Sequence, residues 1–248
     1  MVVSQASEIL ARYTQVQESI AQAAISVNRN PEDIRLLVVT KGHSLQAVQA
    51  AIEAGITSFG ENYADEGISK MLAFQQHTDL AWHMIGHVQS RKARLVSEHF
   101  AWIHSLDSLK LAERLDRYCG ELDRQMPVLF EMNVSGEETK FGLAAWDELE
   151  WQELIKVIEP ILELHNLQVK GLMTMAPYFA DPERARPSFK RLKRLQVYLQ
   201  NKLPEVAWNE LSMGMSGDYE VAVQEGATVV RIGTAIMGER YCKLEVVG

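Results

Sequence analysis

Cysteine is scarce in this sequence. The 248 residues include only two cysteines, Cys119 and Cys242. Two isolated cysteines supply neither a disulfide framework nor a structural zinc site. A reduced compartment suits such a chain, so we expect a cytoplasmic protein.

Positive charge and long apolar runs are also in short supply. The chain has 25 basic residues against 33 acidic ones, a formal charge of −8. This balance argues against a general surface for nucleic acid or anionic membranes. We interpret the one basic cluster, from Arg184 to Arg194, as the solvent-facing side of a helix. No apolar run has the length of a membrane span, and the N-terminus lacks the pattern of a signal peptide. We therefore expect neither a nucleic-acid nor a membrane partner.

The histidines do not show the spacing of a metal site. His43, His83, His87 and His104 do not have the spacing of metal ligands, and few carboxylates lie near them in the sequence. Structural roles are favoured for all four, and we expect no metal.

The sequence does contain a strand-then-helix alternation that begins at about residue 34. A helix over about residues 4–28 precedes it, with apolar residues on one stripe. The predicted strands are Leu36–Thr40, Thr57–Gly60, Trp82–Ile85, Trp102–Ser105, Val128–Val134, Val169–Met175, Glu210–Ser212 and Thr228–Ile232. Each is followed by a helical segment. Eight such units predict an α/β fold, a single (β/α)8 TIM-type barrel over about residues 34–240.

A doubly wound open sheet is the main alternative to the barrel. It would have fewer strands and usually a glycine-rich first turn. The turn after the first predicted strand, Lys41-Gly42-His43, is not of that kind. No linker, repeat or low-complexity segment divides the chain, so we expect one domain over residues 1–248.

A lysine ends the first strongly apolar run, Leu36-Leu37-Val38-Val39-Thr40-Lys41. An amine at the end of a buried strand is costly unless it is paired, solvated or chemically used. Lysine forms Schiff bases with carbonyl cofactors, and burial lowers its pKa to suit that role. Barrel closure would place the eighth strand beside the first, so Arg231 and Gly233-Thr234 are expected next to Lys41.

Two loops on the same expected face have the composition of a phosphate site. Ser216-Gly217 follows the seventh strand and Gly233-Thr234 the eighth, the usual place for phosphate in such barrels. Each offers a hydroxyl and backbone N–H groups at a helix start. Either loop alone is more simply an ordinary capped turn. Both together beside Lys41 predict pyridoxal 5′-phosphate (PLP), with its phosphate on these four residues and its aldehyde on Lys41.

Arg231 is predicted to face the ring nitrogen of that cofactor. A permanent cation there disfavours protonation of the nitrogen. The ring is then a weaker electron sink than it would be with an aspartate partner. The alternative for Arg231 is a structural ion pair with Glu225 or Glu239.

Eight segments form a set of motifs that runs in order along most of the chain. They are Val38–Lys41, Phe59–Tyr63, Trp82–Gly86, Ile103–Asp107, Asn133–Leu143, Gly171–Met175, Leu211–Asp218 and Val230–Gly238. Together they resemble the pyridoxal phosphate homeostasis proteins, the single-domain relatives of the N-terminal barrel of alanine racemase.

The resemblance implies a PLP-binding barrel of fold type III, without the C-terminal β domain, in which Lys41 carries the cofactor as an internal aldimine. It implies a role in the balance of PLP (vitamin B6) and of amino and keto acids, without robust turnover. The residues that it implies at the cofactor are Asn62 and Arg231 at the ring, Ser216, Gly217, Gly233 and Thr234 at the phosphate, and Met213 and His83 as pocket walls.

A binding protein is favoured over an enzyme. Racemisation needs two proton-transfer groups on opposite faces of the substrate. Lys41 can be one, and neither Tyr63 nor Tyr178 is clearly the other. With no room for the dimerising domain of racemases we expect a monomer, with apo-PLP enzymes as candidate recipients. Two alternatives stay open: a weakly active racemase-like PLP enzyme, and a barrel enzyme for phosphorylated ligands without PLP, in which Lys41 pairs with Glu61.

Overall fold

The computed structural model of the chain describes residues 4–137 and 139–239. Cys242 and the last residue of the predicted barrel range, at position 240, lie outside the described residues. The helices are α1 (Gln5–Ile25), α2 (Leu45–Glu53), α3 (Ala64–Ala73), α4 (Ala93–His99), α5 (Leu109–Glu121), α6 (Trp151–Leu162), α7 (Arg186–Lys202), α8 (Tyr219–Gln224) and α9 (Thr234–Met237). The strands are β1 (Arg35–Val39), β2 (Ser58–Glu61), β3 (Ala81–Met84), β4 (Trp102–Leu106), β5 (Met126–Asn133), β6 (Leu143–Ala144), β7 (Leu167–Met173), β8 (Glu210–Ser212) and β9 (Val229–Ile232).

Eight of these strands close into a parallel barrel. The pairs run from β1 through β5 in order, then β5–β7, β7–β8 and β8–β9, and β9 returns to β1. In the closing pair Leu37 lies opposite Arg231. The predicted (β/α)8 barrel and the predicted contact of its first and last strands are both confirmed.

After the fifth predicted strand, the sequence pattern predicts a helix from Trp146 to Leu164, but the helix begins later. Leu143–Ala144, just before that range, forms β6, a two-residue strand that pairs with β5 outside the barrel. The Asp147 side chain then accepts a hydrogen bond from the Leu149 amide at 3.0 Å and caps a short 3-10 turn. A side chain that caps a turn competes with helix propagation, so α6 begins only at Trp151.

Side-chain alternation along the strands divides the buried residues into two layers. Most buried apolar residues lie between the strands and the surrounding helices. A small separate cluster of Leu37, Val39, Ile85 and Val229 fills part of the barrel interior. Because successive strand residues point to opposite faces, the inward positions of β1 and β9 are Leu37, Val39, Val229 and Arg231.

Helix α1 lies across the seam where the first and last strands meet. Ser4 caps it by accepting from the Ser7 amide, and its buried face includes Ile9, Val16 and Ile20. Arg12 Nε donates to the Ile236 carbonyl at 2.6 Å. The helix that precedes the first strand thus binds the segment that follows the last one.

Among the described residues, no helix is long and apolar enough to cross a membrane.

Candidate functional site

A cavity of about 250 Å³ opens at the carboxyl ends of the strands. It is bordered by residues of β1 and β9 and of the segments that follow β1, β2, β3, β7, β8 and β9. Of the predicted site residues, it brings together Lys41, Asn62, Ser216, Gly217, Arg231, Gly233 and Thr234. Other lining residues include Val39, Ile85, Met175, Tyr178, Met215 and Asp218.

Lys41 reaches the cavity because of strand parity. Leu37 and Val39 belong to the interior cluster, and Lys41 stands two residues further along the same face. The lysine lies just past the end of β1, where the chain turns through Gly42 at a φ of 74°. Its side chain is half-buried and lines the cavity.

A buried ion pair lies directly behind the Lys41 turn. Glu61, fully buried at the end of β2, accepts hydrogen bonds at Oε1 from Thr40 Oγ1 at 2.6 Å and from Lys70 Nζ at 2.7 Å. Burial raises the pKa of the Glu61 carboxyl, and the neighbouring Lys70 opposes that rise. The second oxygen of Glu61 has no hydrogen-bond partner among the described residues. Glu61 therefore faces the helix layer, engaged with Lys70 and Thr40, and not the cavity.

The same cluster reaches the backbone on both sides of Lys41. Lys70 Nζ donates to the Thr40 carbonyl at 2.6 Å. Glu66 accepts from Lys70 Nζ at 2.7 Å and from the Gly42 amide at 2.6 Å. The peptide groups that precede and follow Lys41 are thus both bound to side chains of α3.

Arg231 is held rigidly at the floor of the cavity. It is 4% exposed, and its guanidinium donates to the Ser212 carbonyl at 2.8 Å, the Ser212 hydroxyl at 2.6 Å and the Thr174 carbonyl at 2.9 Å. Burial lowers the pKa of Arg231 to about 10, while Glu131 and Asp218 oppose the fall. Glu225, one alternative partner for Arg231, pairs instead with Arg186 at 2.5 Å.

A chain of hydrogen bonds continues from Arg231 into the barrel. Ser212 Oγ lies 2.9 Å from His104 Nδ1, and His104 Nε2 lies 3.0 Å from His83 Nδ1. Burial lowers the pKa of His83 to about 3 and that of His104 well below its ordinary value. Both rings are therefore neutral near pH 7. The guanidinium only donates, so Ser212 Oγ accepts from Arg231, while the tautomers of the two neutral rings set the directions of the Ser212–His104 and His104–His83 bonds.

Glu131 adds a titratable carboxyl to the barrel interior. It is 3% exposed on β5 and borders a second cavity that adjoins the first at Asn62 and Met175. Burial raises the pKa of Glu131 to about 7, helped by Asp107 and opposed by Arg231. Its charge therefore changes near neutral pH.

The two loops predicted to bind phosphate touch each other. The Ala235 amide donates to Ser216 Oγ at 3.4 Å, which joins the loop after β8 to the start of α9. Asp218 Oδ1 accepts from the Met215 amide at 2.6 Å and shapes the first loop. Around Gly217, a Cβ atom would meet nothing within 4 Å, so the backbone is open on that side.

Two predicted pocket residues lie elsewhere. Met213 is fully buried in the layer between strands and helices. The reason is parity: Ser212 points inward to Arg231, so the next residue points outward. His83 is inward-facing but lies deeper than the cavity, bonded to His104, and Ile85 occupies the lining position of that strand. Met215 and Ile85 therefore line the cavity at the positions predicted for Met213 and His83.

Sequence reasoning missed the α3 cluster and the supports of Arg231. The i,i+4 pair Glu66–Lys70 is visible in the sequence, but such pairs usually lie in solvent. The inward position of Ser212 could have been found by counting alternate residues along β8 from the cavity. No three His, Cys, Asp or Glu residues within the described ranges are grouped so that they could hold a metal ion.

The family model for the N-terminal domain of alanine racemase matches residues 18–241 of this chain. A pyridoxal phosphate homeostasis protein of Vibrio alginolyticus is 43% identical over 216 residues, which cover 86% of this chain and 89% of the relative. The protein of that name from Escherichia coli K12 is 38% identical over 237 residues, covering 94% and 97%.

Solved structures that are similar to this chain give a consistent result. PipY of Synechococcus elongatus PCC7942, in a structure with PLP bound, has a TM-score of 0.75 and 37% identity, covering 88% of this chain and 100% of that one. An alanine racemase from Streptomyces coelicolor A3(2) has a TM-score of 0.69 and 15% identity, covering 93% of this chain and 58% of that one. At that identity the second likeness shows a shared fold alone.

Proposed function

The chain belongs to the pyridoxal phosphate homeostasis protein family, and we propose that it binds PLP through a Schiff base on Lys41 and serves PLP homeostasis. One observation carries the proposal: a half-buried lysine, a buried arginine and two loops with open N–H and hydroxyl groups line a single cavity. The PLP bound to PipY, a relative at 37% identity, supports the choice of ligand.

The donor set of the cavity fits the phosphate, the aldehyde and the ring nitrogen of PLP. Ser216, Gly217, Gly233 and Thr234 supply hydroxyl and backbone N–H groups for a phosphate. Lys41 supplies the amine for an aldehyde. Arg231 supplies a cation at the floor, and Val39, Ile85 and Met175 supply apolar walls for a flat ring.

Bound PLP supplies an aldehyde that condenses with amines and a ring that withdraws electrons. Lys41 would hold the cofactor through its amine, and the other lining residues would hold its phosphate and ring. Because condensation of an amine with an aldehyde is reversed by water, the same lysine would also be able to release what it holds.

The environment of Arg231 favours storage over catalysis. Three hydrogen bonds fix its guanidinium, and a pKa of about 10 keeps it charged at neutral pH. A fixed cation opposes protonation of a ring nitrogen next to it, which weakens the withdrawal of electrons. Tyr178 lines the cavity but is 89% exposed, which is a poor setting for a tuned proton donor.

The alternative that dispenses with PLP relied on a Lys41–Glu61 pair. Glu61 is instead bonded to Thr40 and Lys70 on the opposite face of the strands. This placement removes the main support for that alternative. We further propose that the protein is a cytoplasmic monomer of one domain and that apo-PLP enzymes receive its cofactor.

The decisive experiment compares the wild-type protein with Lys41→Ala after incubation with PLP. We expect an absorption band in the visible range for the wild type alone, and borohydride reduction followed by peptide mapping should place the adduct on Lys41. A colourless wild type would overturn the proposal. Racemisation of L-alanine at ordinary enzyme rates would overturn the part that concerns turnover.

A further inference from the structure

We propose that Lys70, Glu61 and Glu66 form a positioning clamp for Lys41. The clamp holds the Thr40 carbonyl and the Gly42 amide and thereby fixes the direction in which the Lys41 side chain leaves the end of β1. This inference deepens the proposed function and rests on it for the identity of the ligand.

Lys70 is the centre of the clamp. Lys70 Nζ makes three short hydrogen bonds, to the Thr40 carbonyl at 2.6 Å and to Glu61 and Glu66 at 2.7 Å each. Three acceptors satisfy all three N–H donors of an ammonium group. The Thr40 hydroxyl and carbonyl are both engaged, so the residue before Lys41 is held by side chain and backbone together.

Stability alone is a weak explanation for this cluster. Lys70 is 3% exposed and Glu61 is fully buried, and an ion pair in such a place often stabilises no more than an apolar pair of the same shape. Glu61 Oε2 is also buried without a hydrogen-bond partner among the described residues, which carries its own desolvation cost. A cluster with such costs is explained by what it holds in place.

Gly67 makes the clamp sterically possible. A Cβ atom at this position would lie 2.8 Å from Phe100 Cζ and 3.2 Å from Glu61 Cβ. Without a side chain there, α3 packs close enough to β2 for Lys70 to reach Glu61. The helix therefore brings all its contributions, Glu66, Gly67 and Lys70, to the strand ends within two turns.

The inference predicts that the clamp governs the reactivity of Lys41. With the clamp intact, the backbone on both sides of Lys41 is held, which fixes the direction of its Cα–Cβ bond at the edge of the cavity that it lines. A displacement of about 1 Å at a reacting group can cost about a hundredfold in rate. Loss of Lys70 frees the Thr40 carbonyl and leaves Glu61 as an uncompensated buried carboxyl, so the turn must shift.

The test uses Lys70→Met with Arg124→Met as the matched control. Arg124 is also a cation that donates to backbone carbonyls, those of Ser97 at 2.7 Å and Phe100 at 2.9 Å, but it lies outside the cavity lining. Two readouts are measured for each protein: the dissociation constant for PLP, and the rate at which an amine-directed reagent labels Lys41 in the PLP-free protein, read by peptide mapping.

We expect Lys70→Met to raise the dissociation constant by at least about tenfold and to change the labelling rate severalfold, while Arg124→Met leaves both within about twofold. Equal effects of the two variants, at similar losses of melting temperature, would show that Lys70 is merely structural. If the wild type fails to bind PLP, the proposed function falls, but the labelling rates still decide whether the clamp controls Lys41.

A milder pair covers the case in which Lys70→Met does not fold. Glu66 is partly exposed, with 29% of its side chain accessible. Glu66→Gln keeps an oxygen that can accept from the Gly42 amide, whereas Glu66→Ala does not. We expect Glu66→Ala to bind PLP more weakly and to show an altered labelling rate of Lys41. Glu66→Gln should be close to the wild type in both measurements. Identical behaviour of both Glu66 variants and the wild type would refute it.

Discussion

The Arg231 guanidinium binds both the carbonyl and the hydroxyl of Ser212, at 2.8 and 2.6 Å. The two residues lie on neighbouring strands and both point into the barrel. Ser212 is thus the link between the cation at the cavity floor and the two neutral histidines below it. Its hydroxyl bonds to Arg231 on one side and to His104 on the other, a role that neither an alanine nor a valine can take.

Replacement of that hydroxyl should therefore be destabilising. We expect Ser212→Ala to lower the free energy of unfolding by about 1–3 kcal/mol, because His104 Nδ1 and one Arg231 donor lose a buried partner. Urea denaturation measures the change. Ser212→Thr keeps a hydroxyl and serves as the control. An alanine variant as stable as the wild type would show that the chain of hydrogen bonds contributes nothing to stability.

Gly86, which borders the second cavity, and Gly217, which lines the first, should respond differently to alanine. At Gly86 a Cβ atom would lie 2.3 Å from the Asn62 carbonyl oxygen, so Gly86→Ala should displace Asn62 and lower the free energy of unfolding by about 2 kcal/mol or more. At Gly217 there is open space, so Gly217→Ala should change the free energy of unfolding by less than about 0.5 kcal/mol.

The Gly217 variant should nevertheless bind PLP more weakly, because its methyl group narrows the loop proposed for the phosphate. Thermal unfolding without PLP and titration with PLP separate the two effects. Wild-type affinity in Gly217→Ala would place the phosphate elsewhere.

Glu131 should make stability fall as the pH rises. Its pKa is raised to about 7 in the folded protein from 4.5, so between these values the folded state keeps a proton that the unfolded chain has released. The wild type should lose up to about 1.4 kcal/mol per pH unit across that window. Glu131→Gln cannot titrate there. The stability of this variant relative to the wild type should thus increase from pH 5 to pH 7. Urea denaturation at several pH values measures this change. A difference in stability that stays constant with pH would contradict the raised pKa of Glu131.

His83 should act in the opposite sense. Its pKa is lowered from 6.5 to about 3 in the folded protein, so the unfolded chain takes up a proton first as the pH falls. The stability that neutral His83 contributes is complete above pH 6.5 and is lost as the pH falls towards 3. His83→Gln should therefore lose stability less steeply than the wild type between pH 6.5 and 4, by up to about 1.4 kcal/mol per pH unit. Parallel curves for the two proteins would mean that the ring is protonated in the folded state as well.

The barrel and most of the cavity follow from the sequence because both depend on regular features. Strand–helix alternation indicates the barrel, and closure then brings Arg231 to Lys41. The family resemblance implied Met213 at the cavity wall, but the parity of β8 directs its side chain outward. A shared motif brings a residue near a site without giving the direction of its side chain.

The clamp could not be predicted from the pattern. The pairing of Glu61 with Lys70 depends on how closely α3 approaches β2, and that distance is set by the missing side chain of Gly67 against Phe100. Contacts between elements of this kind are decided by packing in three dimensions. Sequence spacing records the Glu66–Lys70 pair but not the third partner.

The cavity is built from residues near both the first and the last strand of the chain, and this has a consequence for biosynthesis. Lys41 follows the first strand, while Arg231 and Gly233-Thr234 belong to the last strand and the turn after it. A ribosome releases β1 long before β9, so a nascent chain carries Lys41 at an open sheet edge before Arg231 and Gly233-Thr234 can lie beside it. Under the proposed function, capture of cofactor therefore requires that the final strand has inserted. A chain cut short before β9 would have Lys41 without Arg231 and without Gly233-Thr234.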